Sequence, residues 1–183
     1  PITEREMAQL LDDAIGHGLQ AKDFERSATL IDQAAQTIIA QGRLTTLIRW
    51  TEALPQALLR ARPRLRIYQG WALNLSGQIE AADKILQETR VTLQNQPSSS
   101  ENDALRARLA ALLTGIATLR QEPATVIREA QEALAYLPEN DLISRARIYV
   151  ALGTAYAYED DTERAIQTWQ QARDLALEAG NPF

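Results

Sequence analysis

Three pairs of small residues recur along the chain with one separation, a glycine followed twelve residues later by an alanine. The pairs are Gly16 with Ala28, Gly70 with Ala82, and Gly153 with Ala165. Recurrence of this kind is typical of an array built from one supersecondary unit. We expect the two small residues to lie on the two helices of a hairpin and to let those helices approach closely. The chain is therefore constrained to a series of helical hairpins.

Helix start and stop signals agree with this repeat. Alanine, leucine, glutamine, arginine and glutamate dominate, and only ten residues are aromatic, a composition that favours helix. Asp23 has the side chain for an N-cap, and Pro63 and Pro123 suit the first position of a helix. Two capping boxes are predicted, Ser98 with Glu101 and Asp160 with Glu163. Short connections then require antiparallel helix pairs.

The last unit of the chain follows the tetratricopeptide pattern of aromatic, large and small positions. These positions are Tyr149, Leu152, Gly153, Tyr156, Ala165, Trp169 and Ala172. A weaker unit covers 107–138, where Leu113, Ala130 and Ala133 fit and the glycine is displaced to Gly115. We predict an all-α, right-handed superhelix of antiparallel tetratricopeptide-like hairpins, an α-solenoid, with Trp169 buried between hairpins.

The domain organisation predicted is one helical repeat domain over residues 1–183. The expected hairpins are 3–41, 43–95 with a connector at 50–63, 101–138 and 141–179, with a flexible joint at 96–100. The chain starts on proline and ends Asn-Pro-Phe just after a helix stop at Gly180, so we expect it to be part of a longer protein.

Several kinds of chemistry lack their residues in this sequence. There is no cysteine, no GxxxxGK or GxGxxG phosphate loop, and His17 is the only histidine. No apolar run approaches the ~20 residues needed to cross a bilayer. A net charge of -5 disfavours nucleic-acid binding. We expect a cytoplasmic, non-catalytic fragment without metal or cofactor and without direct contact to DNA.

Two groups of acids could bind a cation or move protons. They are Asp12 with Asp13, and Glu159 with Asp160 and Asp161. The second group lies where one helix ends and the next begins, so helix capping and the helix dipole explain it without a ligand.

The basic run Arg60, Arg62, Arg64 and Arg66 surrounds Pro63 at a predicted helix start. Such a position can attract an anion or an acidic surface. The alternative is a solvated corner in which the arginines bond to nearby carbonyl and carboxylate groups. Both interpretations are open from the sequence.

Residues on the first helix of each hairpin are candidates for a concave ligand or partner groove. They are Arg64, Tyr68, Trp71, Asn74, Arg108, Arg147 and Tyr158. Core packing is the alternative explanation for the aromatic members, since aromatic residues at helical spacing more often pack than bind.

Three segments, 13–34, 42–86 and 146–179, resemble the tetratricopeptide-like sensor region of ATP-dependent LuxR-type transcription regulators, a family typified by the maltose regulon activator. The most specific part is W-x-E-A-L-P followed by R-P-R-L, here Trp50 to Pro55 and Arg62 to Leu65. The resemblance implies that this stretch is a family-specific helical connector between repeats.

The resemblance also implies a division of labour in a parent regulator. The family carries an ATP-binding module of the signalling NTPase class, a winged helix, the helical sensor and a DNA-binding helix-turn-helix. We expect ATP to bind a part outside this chain, which needs no cofactor of its own. The function predicted is inducer sensing and self-association, through a small molecule or peptide in the groove or contacts with other domains of the parent. The alternative is a general peptide-binding adaptor, and no membrane partner is expected.

Overall fold

The protein is described by a computed structural model over residues 4–180, with side chains from residue 9 onward. The helices are α1 (Glu4–Gln20), α2 (Phe24–Ala40), α3 (Leu44–Glu52), α4 (Gln56–Arg60), α5 (Pro63–Leu75), α6 (Ile79–Gln94), α7 (Ser100–Leu119), α8 (Pro123–Tyr136), α9 (Leu142–Tyr158) and α10 (Thr162–Glu178). No residue in the described range is in a strand, which confirms the all-α prediction. The expected start at residue 3 and the final Asn-Pro-Phe lie outside the described residues.

The chain divides into two compact units between Thr92 and Leu93. The first unit holds α1 to α5 and most of α6, and the second holds the end of α6 and α7 to α10. Within the second unit, Arg106 donates hydrogen bonds to the main-chain oxygens of Leu93 and Gln96, at 2.7 and 2.8 Å. The loop before α7 is thereby bonded to that helix. One continuous domain, a joint at 96–100 and a right-handed superhelix stay predictions.

Five turns that end a helix share one conformation. In each, three residues separate two helices and the middle one has a φ between 57° and 80°. The middle residues are Lys22, Gly42, Gly77, Gln121 and Asp160. The next residue donates its N–H to a carbonyl five positions back, as Gln78 does to Leu73 at 2.9 Å. This is a Schellman ending, which satisfies carbonyls that the helix leaves free.

Side-chain caps begin four of the described helices: Asp23 for α2, Ser99 for α7, Asp141 for α9 and Asp161 for α10. Asp23 accepts from the N–H of Arg26 at 3.4 Å, as predicted. Ser99 caps α7 and Asp161 caps α10, so the capping boxes at Ser98 and Asp160 are wrong by one residue. Only the residue directly before the first helical one can reach the free N–H groups. Ser98 instead donates to Asp103, and Asp160 occupies the left-handed position of its turn.

At two of the three predicted glycines the helices of the hairpin approach closely, but against a different partner. A Cβ added at Gly70 would lie 2.7 Å from Leu86 Cδ2, and one at Gly153 would lie 2.5 Å from Trp169 Cδ1. Both partners come sixteen residues after the glycine, one helical turn beyond the alanines at twelve. Gly16 has open space beside it. In the first hairpin the close glycine is Gly18, where an added Cβ would lie 2.5 Å from Ser27 Oγ. The twelve-residue alanines are buried but are not the nearest contacts.

The expectation that Trp169 is buried between hairpins is wrong. The side chain lies against Gly153, yet 41% of the residue remains exposed. Because α10 packs chiefly on α9, the outer side of the indole ring is open to solvent.

The two units have cores of different composition. In the first unit the most deeply buried side chains are large: Ile15, Ile31, Ile38, Leu47, Leu59, Leu65, Ile67 and Leu86. In the second unit alanines dominate the clusters at which α7, α8 and α9 meet: Ala110, Ala130 and Ala133 with Ile148 and Leu152, and Ala117 and Ala155 with Val126. Small side chains let these three helices pack at short distance.

Candidate functional site

Two arginines that follow α4 pair with acids on α2. Arg62 Nη2 lies 2.7 Å from Glu25 Oε2, and Arg64 Nε lies 3.1 Å from Asp32 Oδ1. All four side chains are partly or largely exposed, so each pair contributes ~1 kcal/mol or less to stability. For these two arginines, the ion pairs agree with the predicted alternative of a corner bonded to nearby carboxylates.

Arg66 has a different environment from the other arginines of the run. Its side chain is only 4% exposed, and Nη2 donates to Glu88 on α6. A second, longer hydrogen bond of 3.5 Å joins Nη1 to the Gln56 side-chain oxygen. Burying a guanidinium without a partner costs several kcal/mol. The bond from Arg66 to Glu88 offsets this cost, and it also joins α5 to α6.

A groove of about 350 Å³ opens beside this arginine in the first unit. Its lining includes Arg60 and Pro63 before and at the start of α5, Arg66 within α5, and Glu88, Thr89 and Thr92 on α6. The threonine hydroxyls donate to main-chain oxygens one turn back on α6. The guanidinium groups are therefore the strongest hydrogen-bond donors facing the groove.

The four predicted groove residues of α5 differ in their exposure. Arg64 is exposed and paired with Asp32, whereas Tyr68 is 5% exposed. Tyr68 stacks on Trp71, with ring centroids 6.4 Å apart. Asn74 is partly buried, and its Oδ1 accepts no hydrogen bond from the described residues. The burial of Tyr68 favours core packing there, and ligand contact by the other three stays a prediction.

The three predicted groove residues of the second unit also differ. Arg108 on α7 is half-buried, while Arg147 and Tyr158 on α9 are exposed, Tyr158 by 63%. Ile143 and Val150 are also exposed and fall on the same face of α9 by helical spacing. These two were not predicted, although their three- and four-residue spacing from Arg147 was a usable signal.

Arg66 and Glu88 were likewise not predicted as a pair. Their pairing follows from the register seen in the structure: Gly70 faces Leu86, so a residue one turn before Gly70 faces one just beyond Leu86. The predicted register placed Ala82 opposite Gly70, so the sequence did not indicate this charge pair.

Of the other candidates for chemistry, Asp12 and Asp161 have structural roles. Asp12 forms an ion pair with Arg43, and Asp13 accepts from the Gln9 amide at 3.0 Å. Asp161 is the cap of α10, and His17 is an exposed residue of α1. Among the side chains of residues 9–180, no three potential metal ligands come together. No helix in this range is long and apolar enough to span a membrane.

Comparison with known proteins gives both sequence and structural relatives. The HTH-type transcriptional regulator MalT of Yersinia enterocolitica serotype O:8 / biotype 1B is 26% identical over 164 residues, which is 90% of this chain and 18% of the regulator. MalT of Yersinia pestis (strain Pestoides F) gives the same identity and coverage. The chain is similar to MalT. This confirms the resemblance found from the sequence motifs.

The match to MalT covers most of this chain but a small part of the relative. The chain spans 18% of the length of these curated MalT proteins. No family model matches the chain. The crystal structure of MamA superimposes with a TM-score of 0.72 at 15% identity, over 92% of this chain and 88% of MamA. MamA is a tetratricopeptide-like repeat protein, so this likeness confirms the tetratricopeptide-like helical fold.

Proposed function

We propose that this chain is the ligand-sensing and protein-interaction part of a bacterial transcription regulator. The observation that carries the proposal is the similarity to MalT over 90% of the chain. The tetratricopeptide-like fold supports it, since stacked helical hairpins offer extended surfaces for ligands and partners. In this proposal the chain itself is non-catalytic, and ATP and promoter DNA bind other parts of a cytoplasmic parent protein.

The proposed mechanism is a shift between two arrangements of the hairpins. A ligand that binds one arrangement more tightly moves the equilibrium by the difference between its two affinities. Self-association of the parent would then follow from the favoured arrangement. The ion pairs that join α2, α5 and α6 are the contacts that such a change would reorganise.

The test is a calorimetric titration of the 183-residue chain with a panel of metabolites, followed by small-angle scattering of each mixture that releases or absorbs heat. We expect at least one small molecule to bind and to change the radius of gyration. A complete panel in which no mixture releases or absorbs heat, or in which none of those that do changes the radius of gyration, would reject a small-molecule sensor.

A peptide-binding adaptor is the second candidate, and the exposed face of α9 favours it. Ile143, Val150 and Tyr158 place apolar surface beside the cation of Arg147, a combination that suits an amphipathic peptide. Selection of peptides from a displayed library tests this candidate. Binding that is lost in Val150→Asp and unaffected by small molecules would favour the adaptor over the sensor.

A further inference from the structure

The groove beside Arg66 has an excess of positive charge. Arg60, Arg66 and Glu88 are its charged lining residues, so two cations face one anion in a chain whose net charge is -5. Glu88 is 48% exposed, whereas the Arg66 side chain is 4% exposed. In this ion pair Arg66 is the buried partner, and the carboxylate of Glu88 can turn toward solvent.

Arg60 is the remaining cation of the basic run. Arg62, Arg64 and Arg66 each pair with an acid, whereas Arg60 is exposed and forms no ion pair with the described residues. A guanidinium presents several N–H donors in a planar fork that matches carboxylate and phosphate oxygens. Arg60 and Arg66 together thus offer donors from the end of α4 and the first turns of α5.

The position of the groove adds to this preference for negative charge. Pro63 lies in the groove lining and is the first residue of α5. Pro63 has no N–H to donate, so what α5 adds at this position is the positive end of its helix dipole. A volume of about 350 Å³ is at the lower end of the range of small-molecule sites.

We propose that this groove binds the carboxylate or phosphate group of a small anionic ligand, held between Arg60 and Arg66. The ligand replaces Glu88 on the Arg66 guanidinium, and Glu88 moves into solvent. Because the Arg66–Glu88 pair joins α5 to α6, ligand binding loosens one hairpin contact. This inference rests on the proposed sensing function and adds the chemical class of the ligand.

Calorimetric titration with inorganic phosphate, pyrophosphate and succinate tests the proposal, at ionic strength held constant with chloride. The phosphates and the dicarboxylate distinguish the two possible anionic groups, and glucose serves as a neutral probe. We expect Arg60→Gln to weaken anion binding about tenfold, the loss expected for one charge-assisted hydrogen bond. Arg49→Gln is the matched control, since Arg49 is exposed on α3 and is not in the groove lining.

A second variant predicts the opposite change. Glu88→Gln removes the carboxylate that competes for Arg66, so we expect anion binding to tighten about tenfold. Glu52→Gln, an exposed acid on α3, controls for the change in net charge. Circular dichroism of every variant checks that the helices are retained.

Three results would overturn the anion site. The first is that no anion binds, and the second is that wild type and Arg60→Gln bind anions with equal affinity. The third is that Glu52→Gln raises the anion affinity as much as Glu88→Gln does. If glucose or another neutral molecule binds and Arg60→Gln has no effect, the anion site is rejected while the sensing function stands. If no small molecule binds at all, both are rejected.

Discussion

At the scale of single residues, the backbone of the helix-ending turns is more uniform than its sequence. The left-handed position is glycine at Gly42 and Gly77 but carries a side chain at Lys22, Gln121 and Asp160. Left-handed backbone strains residues that have a Cβ. Gln121→Gly and Lys22→Gly should therefore raise the free energy of unfolding by about 0.5 to 1 kcal/mol in urea melts.

Two controls bracket this prediction. Asp160→Gly should gain less, because aspartate tolerates the left-handed region better than lysine or glutamine does. Gly77→Ala should lower stability by about 1 kcal/mol. Destabilisation by Gln121→Gly would contradict the turn assignment.

The cap of α10 makes stability depend on pH. The N–H of Arg164 donates to Asp161 and, together with the arginine side chain, lowers the pKa of this carboxyl group. A carboxyl group whose pKa is lower in the folded than in the unfolded state stabilises the fold above the unfolded pKa of ~3.9. This stabilisation is lost as the pH falls through the folded pKa.

Asp161→Asn keeps a capping oxygen and removes the charge. We expect this variant to have a lower free energy of unfolding than wild type at pH 7, and the difference to disappear as the pH falls through the folded pKa. A difference in the free energy of unfolding that does not change with pH would exclude a charge effect.

At the scale of helices, the glycine contacts set how closely each hairpin packs. Gly70→Ala would place a methyl group 2.7 Å from the fully buried Leu86, which has little room to move. We expect a loss of about 1 to 3 kcal/mol in denaturant melts. Gly153→Ala should cost less, because Trp169 is 41% exposed and its ring can shift outward.

Gly115→Ala is the matched control for these two changes. Gly115 is an exposed glycine inside α7 with open space beside it, so alanine there should raise stability by about 0.5 to 1 kcal/mol through helix propensity. A loss at Gly115 equal to that at Gly70 would mean that the helix backbone, and not hairpin packing, determines the effect.

The helices also show which features of the fold could be predicted from the sequence. Helix positions followed from local signals such as Asp23 and Pro63, which act within one turn of the chain. The partners of Gly70 and Gly153 did not, because facing residues depend on the angle and register between two helices. The basic run with Arg60 and Arg66 was a candidate anion site from the sequence, but the Arg66–Glu88 pair was missed for the same reason. Arg66 and Glu88 are 22 residues apart, and the burial of Arg66 is a property of the packed hairpin.

At the scale of the whole molecule, the fold supports a role in binding, whereas the similarity to MalT supports a role in transcription. The tetratricopeptide-like hairpins account for a binding surface, and MamA shows that such a fold is shared at 15% identity. The assignment to transcription depends on the 26% identity with MalT, of which this chain spans 18%. The proposed regulator therefore requires further parts that bind nucleotide and DNA.

Sequencing the reading frame on both sides of this chain tests that requirement most directly. We predict a GxxxxGK(S/T) phosphate loop upstream and a helix-turn-helix downstream, in the same frame as the repeats. A complete reading frame that carries neither motif would contradict a MalT-like regulator and would place the peptide-binding adaptor first.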